Sequence, residues 1–99
     1  MQKQAKKSKK HSANLHVIVF KEGKQFVSYS PSLDIASQGN TYEEALRMFD
    51  EAAELFFEGL KKLGTTEDVL TGLGWKKTTK EGWTPPLVVG HAVRTFSHA

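Results

Sequence analysis

The sequence predicts an α+β fold, an antiparallel sheet of three to four strands packed on one main helix, in the order β-β-β-α-α-β. Three observations predict it. Two runs rich in β-branched and aromatic residues, Leu15–Phe20 and Gln25–Ser30, flank a short polar stretch that contains a glycine, which is how a hairpin reads in sequence. Thr41 and Glu44 then open a long segment whose apolar residues recur at helical spacing. The chain has 99 residues and no cysteine, which allows a single modest core and excludes disulfides and thiolate metal sites.

The elements follow in order. Lys21-Glu22-Gly23-Lys24 is a tight turn in which Gly23 can take positive φ. Pro31 ends the second strand because it offers no N–H to a ladder. Ile35-Ala36-Ser37-Gln38 is short and extended, a third strand, and Gly39 frees the chain to reverse. Thr41 and Glu44 have capping-box spacing, and Glu43 and Glu44 sit at the positive end of the helix dipole. The helix is predicted to run to about Leu63 and to stop at Gly64. Thr65-Thr66-Glu67-Asp68 caps a second, short helix through Leu70, ended by Gly72 and Gly74. Trp75–Thr79 and Gly82–Thr84 read as a hairpin, or as a final strand with a return, and Leu87-Val88-Val89 with His91, Val93 and Thr95 as an extended arm beyond Pro85-Pro86.

At about 100° per residue, Tyr42, Ala45, Leu46, Phe49, Ala52, Ala53, Phe56, Leu60 and Leu63 share one wide face of the main helix, expected to pack on the sheet. Glu43, Glu44, Arg47, Asp50, Glu51, Glu54 and Glu58 form the opposite arc, with Glu43–Arg47 and Arg47–Glu51 as expected ion pairs. That arc is either a solvated face or a docking surface for a basic partner. Met48, Leu55 and Phe57 lie on its margins, beyond what a helix on a small sheet needs to bury. Packing within the chain or against another chain would cover them. One helix covers one face of a sheet only, so Ile18, Phe20, Val27 and Tyr29 or their neighbours need a cover too, and a homo-dimer or higher homo-oligomer joined by sheet edges or by the C-terminal arm would supply it.

No constellation for chemistry emerges. His11, His16, His91 and His98 lack metal-ligand spacing, and no nucleophile elbow surrounds Ser28, Ser30, Ser32 or Ser37. Asp50, Glu54 and Glu58 could line a metal at i, i+4, i+8, but a catalytic metal site gathers carboxylates from several elements in a concave place. The reading is a binding protein, not an enzyme, with no cofactor.

Charge is unevenly placed. Lys3, Lys6, Lys7, Lys9 and Lys10 exceed the whole net charge of +3 and leave −2 on the rest. Residues 1–13 read as a disordered basic tail; it could sample nucleic acid, but without an aromatic or periodic feature it reads as a solubilising segment. No apolar stretch follows the lysines, as a secretory signal would require, and no window reaches the roughly 18 apolar residues of a membrane span, so a cytoplasmic protein is the simplest reading.

The order of these pieces resembles the HicB-like family, the antitoxin half of a type II toxin–antitoxin pair. The residues that carry the resemblance are Phe26-Val27-Ser28-Tyr29-Ser30-Pro31, then Leu33-Asp34-Ile35-Ala36, then Gln38-Gly39-Asn40-Thr41-Tyr42-Glu43-Glu44-Ala45. Gly64-Thr65 followed by Val69-Leu70-Thr71-Gly72-Leu73-Gly74-Trp75 is similar to one branch of that family. The likeness covers about Leu15 to Pro86, within a single domain spanning residues 14–99. Where the common signature has Pro-Gly-Cys, this chain has Leu33-Asp34-Ile35-Ala36. The resemblance implies a HicB-like partial RNase H fold without its catalytic carboxylates. It also implies a HicA-like toxin as partner, a small basic RNA-cleaving protein inhibited by steric cover. Met48, Glu51, Glu54, Leu55, Phe57 and Glu58 are the candidate partner-binding residues. The ribbon-helix-helix or helix-turn-helix segment of many relatives finds no counterpart in Lys76 to Ala99, which Gly82, Pro85, Pro86 and Gly90 interrupt, so DNA binding is not expected.

Overall fold

The computed structural model of the chain describes residues 12–80 and 82–99. Apart from Ser12 and Ala13, which are exposed and irregular, the basic tail expected over residues 1–13 lies outside the described residues. The elements are β1 (Ile18–Glu22), β2 (Gln25–Ser30), β3 (Ile35–Gly39), α1 (Tyr42–Leu63), α2 (Thr66–Gly72), β4 (Lys76–Thr78) and β5 (Gly82–Thr84).

β1, β2 and β3 form an antiparallel three-stranded sheet in that order. Gly23, at φ 62°, and Lys24 make a two-residue turn that pairs Glu22 with Gln25. The turn is tighter than the expected four-residue one, so β1 is shifted toward it, and Leu15–Val17 are a lead-in rather than strand. Pro31 to Asp34 form the second turn, closed by the Asp34 N–H donating to the Ser30 carbonyl at 2.8 Å. Asp34 adopts φ 55°, a left-handed conformation that aspartate tolerates better than most side chains.

Thr41 caps α1 through its hydroxyl, which accepts from the Glu44 N–H at 3.0 Å. The Glu44 carboxylate reaches back one residue further than a capping box requires and accepts from the Asn40 N–H. Gly64, at φ 68°, ends the helix, and the Thr65 N–H closes onto the Leu60 carbonyl at 3.0 Å in a Schellman-type turn. α2 is the short second helix, but Thr65 makes no side-chain cap.

The strands after α2 decide between the two expected readings in favour of the hairpin. β4 and β5 pair with each other in a separate two-stranded sheet, and neither adds a fourth strand to the main one. Trp75 explains the separation. Its ring is buried, and its indole N–H donates to the Ser32 carbonyl at 2.9 Å, tying the chain to the turn after β2 instead of to a sheet edge.

α1 packs mainly on β3. The buried apolar cluster is Leu33, Phe49, Ala53, Leu60, Leu70 and Trp75, with Leu15, Val17, Ile35, Phe56, Val69, Leu73 and Trp83 packed around it. It is drawn from the β2–β3 turn, α1, α2 and the residue before β4, so the apolar core lies beside the sheet as much as on it. On α1, Ala45, Phe49, Ala53 and Leu60 are buried as expected, whereas Tyr42 and Leu63 are exposed at the two ends of the helix. Among the described residues no helix is long and apolar enough to cross a membrane.

Candidate interaction surfaces

The two faces of the three-stranded sheet are settled by register and by one buried hydroxyl. Ser28 is fully buried and its Oγ donates to the Ala45 carbonyl of α1 at 2.8 Å, so Ser28 faces the helix. Side chains alternate along a strand and directly paired residues share a face. The helix side therefore carries Val19, Lys21, Phe26, Ser28, Ser30, Ile35, Ser37 and Gly39. Ile18, Phe20, Val27, Tyr29 and Ala36 stand on the other side, where Ile18, Phe20 and Ala36 are exposed and Val27 and Tyr29 are half-buried.

Gly39 shows how close the helix comes. A Cβ there would sit 2.7 Å from the Ala45 nitrogen and 2.9 Å from Glu44 atoms. The glycine serves this approach of helix to strand; it is not among the positive-φ residues, so the expected reversal by conformational freedom is not its reason. Ser30 is also fully buried, and its hydroxyl has no hydrogen-bond partner among the described residues.

The second surface is the outer arc of α1. Glu43, Arg47, Asp50, Glu51, Glu54 and Glu58 are exposed, and Glu44 is half-buried through its capping role. Arg47 pairs with Glu44 and with Glu51, each at 3.6 Å, so the expected Glu43–Arg47 pair is replaced by one a residue closer. Both pairs are solvated and contribute little to stability. Six carboxylates against one arginine leave −5 between Glu43 and Glu58. Leu55 is well exposed on this arc, and Met48 and Phe57 are partly so.

Phe57 differs from the other two apolar candidates. Its ring meets Phe56 and Trp75 edge-on, with centroids 5.6 Å and 6.0 Å away, so it is already engaged within the chain. It lines a cleft of about 630 Å³ together with Leu15, Leu70, Trp75 and Trp83, and with residues of the β4–β5 turn. Lys77 is the one charged residue among the described ones that line it, and its ammonium lies over the Trp83 ring at 5.9 Å. Among the described residues no carboxylate or histidine lines the cleft. Its described walls suit an apolar group.

The structure thus places Met48, Glu51, Glu54, Leu55 and Glu58 on exposed helix surface and moves Phe57 to the wall of a cleft. Among the described residues no three histidine, aspartate or glutamate side chains gather as a metal site. Sequence reasoning missed Leu33 and Trp75 as core residues. Leu33 stood in a turn flanked by serines and aspartate, and the available signal for Trp75 was the cost of leaving a tryptophan beside two glycines uncovered. No protein-family model, no curated protein and no solved structure matches the chain.

Proposed function

We propose that the chain is a HicB-like antitoxin, a cytoplasmic binding protein with a partial RNase H-like fold that covers and inhibits a small, basic, mRNA-cleaving HicA-like toxin. The observation that carries this reading is the outer arc of α1, −5 in charge, solvent-exposed and edged by Met48 and Leu55. The hairpin, the turn after Pro31, the short third strand and the capped helix also follow one another in the order on which the resemblance rests. A field of that sign raises the encounter rate with a cationic RNA-binding protein and weakens with added salt. The affinity itself comes from desolvated apolar anchors, since exposed ion pairs give only about 0–1 kcal/mol each. Inhibition is steric, and the chain supplies no catalytic group of its own.

The test begins with affinity purification from the source cells and RNA-cleavage assays of any small basic protein retained. A retained protein that cleaves RNA, and stops when this chain is added back, supports the reading. Retention of no such protein, or a retained one whose cleavage is indifferent to this chain, overturns it. Reversing charge in E51K/E54K/E58K is expected to slow association at low salt while leaving dissociation nearly unchanged; equal association rates show that the arc is merely solvated.

The exposed apolar side of the sheet favours a second reading, a stand-alone, self-associating module without a toxin. Retention of a further copy of the chain alone, with no basic protein, distinguishes it.

A further inference from the structure

We propose that residues 87–96 of one copy pair as a strand with the open edge of β1 in a second copy, so that two chains exchange their C-terminal arms. The inference is independent of whether a toxin exists, because both halves of the contact belong to this chain.

The arm is built like a strand that lacks a partner. Val88, Val89, Val93 and Thr95 are β-branched, and Leu87, Val89, Val93 and Phe96 are 85 %, 90 %, 90 % and 81 % exposed. No backbone hydrogen bond among the described residues ties this segment to the rest of the chain. Extended backbone loses conformational freedom and is ordered at a net gain only when its N–H and C=O groups and apolar side chains find partners. Pro85 and Pro86 at its base have fixed φ and no N–H, so they launch it in one direction without pairing themselves. Pro86 is anchored beside Gly74, whose absent Cβ would lie 3.3 Å from the proline ring.

β1 is the matching half. It is an end strand, with one row of backbone groups unpaired among the described residues. Ile18 and Phe20 on its outer side are 52 % and 42 % exposed, and a neighbouring strand would set apolar side chains beside both. The other edge strand, β3, carries α1 across it. Length fits as well: ten extended residues span roughly 33 Å, and the five of β1 about 17 Å, so one arm covers the whole edge with connecting chain to spare. A reciprocal exchange satisfies both arms and both edges in one closed two-fold dimer.

The test uses the purified full-length chain. Sedimentation equilibrium at micromolar concentration is expected to give twice the 11.1 kDa of one chain. In a mixture of isotope-labelled and unlabelled protein, filtered NOEs are expected between the Val89 and Val93 methyls of one copy and Ile18 and Phe20 of the other. V89D/V93D and, separately, I18K/F20K are expected to halve the mass while leaving the circular dichroism unchanged, because all four side chains are exposed. A single-chain mass for the wild type overturns the proposal. A dimer that survives V89D/V93D overturns it in favour of pairing through the bare sheet face. NOEs from arm to β1 within one chain overturn it in favour of an arm that folds back.

Discussion

Ser28, Ser30, Ser37 and Gly39 stand on the helix side of the sheet, while Ile18, Phe20, Val27 and Tyr29 stand on the side away from it. A two-layer protein ordinarily turns its bulky apolar side chains toward the helix and its small polar ones toward water. Here the small ones let α1 approach until its backbone at Ala45 touches strand atoms, beside Val19, Phe26 and Ile35 on the same side, while across the sheet Ile18 and Phe20 are exposed and Val27 and Tyr29 half-buried. The bulky side chains of this sheet are thus divided between its two sides, and Ile18 and Phe20 remain open to another chain.

The close approach of helix to sheet is most sensitive at Gly39. Gly39→Ala puts a Cβ 2.7 Å from the Ala45 nitrogen, where only backbone can yield. Overpacking of that kind costs about 1–3 kcal/mol, so the urea midpoint should fall with the m-value unchanged. An unchanged midpoint would mean that the helix rides higher on the sheet than the structure places it.

The two fully buried serines are expected to differ from each other. Ser28→Ala removes a hydrogen bond to the Ala45 carbonyl and leaves that carbonyl short of a partner, a loss of roughly 1 kcal/mol. Ser30→Ala removes a buried hydroxyl that has no partner among the described residues, and should be neutral or slightly stabilising. Equal losses at the two positions would refute this account of the inner face. On the outer side, Phe20→Lys exchanges an exposed ring for a charge. It should change the stability of the isolated fold by no more than about 0.5 kcal/mol while raising solubility. A large loss there would mean that the ring is already covered within the chain.

The hairpin, the third strand, the Thr41 cap and the Gly64 stop were readable in the sequence because each rests on local chemistry: β-branched runs, a capping hydroxyl, a glycine at positive φ. The faces of the strands were harder. Alternation gives two faces without saying which one meets the helix, and here the serines, whose polarity argues for solvent, are the buried set. The sequence left Trp75–Thr79 and Gly82–Thr84 as either a hairpin or a final strand with a return; the choice was not readable, because the position of the hairpin depends on Trp75 finding the Ser32 carbonyl, 43 residues away. Of the candidate binding residues, Leu55 and the glutamates stand where helical periodicity put them. Phe57 does not stand free, because Trp75 reaches it.

The smallest effect lies at the end of the outer face, where the Tyr29 hydroxyl donates to the Asp34 carboxylate at 2.9 Å. That hydrogen bond, aided by slight desolvation and by the nearby negative charge, holds the Tyr29 phenol above its ordinary pKa of 10. A raised pKa favours the protonated form in the folded state. The stabilisation is therefore complete below pH 10 and fades as pH rises through the folded-state value. Asp34→Gly removes the acceptor, and glycine takes the φ of 55° more readily than aspartate, so the turn itself should persist. Tyr29, followed by the NMR shift of its ring carbon, should then titrate lower than in the wild type. If the two proteins titrate together, the hydroxyl is in water rather than on Asp34. The outer face would then have a free phenol beside Ile18, the residue it pairs across from, and would be more polar at that end than the structure describes.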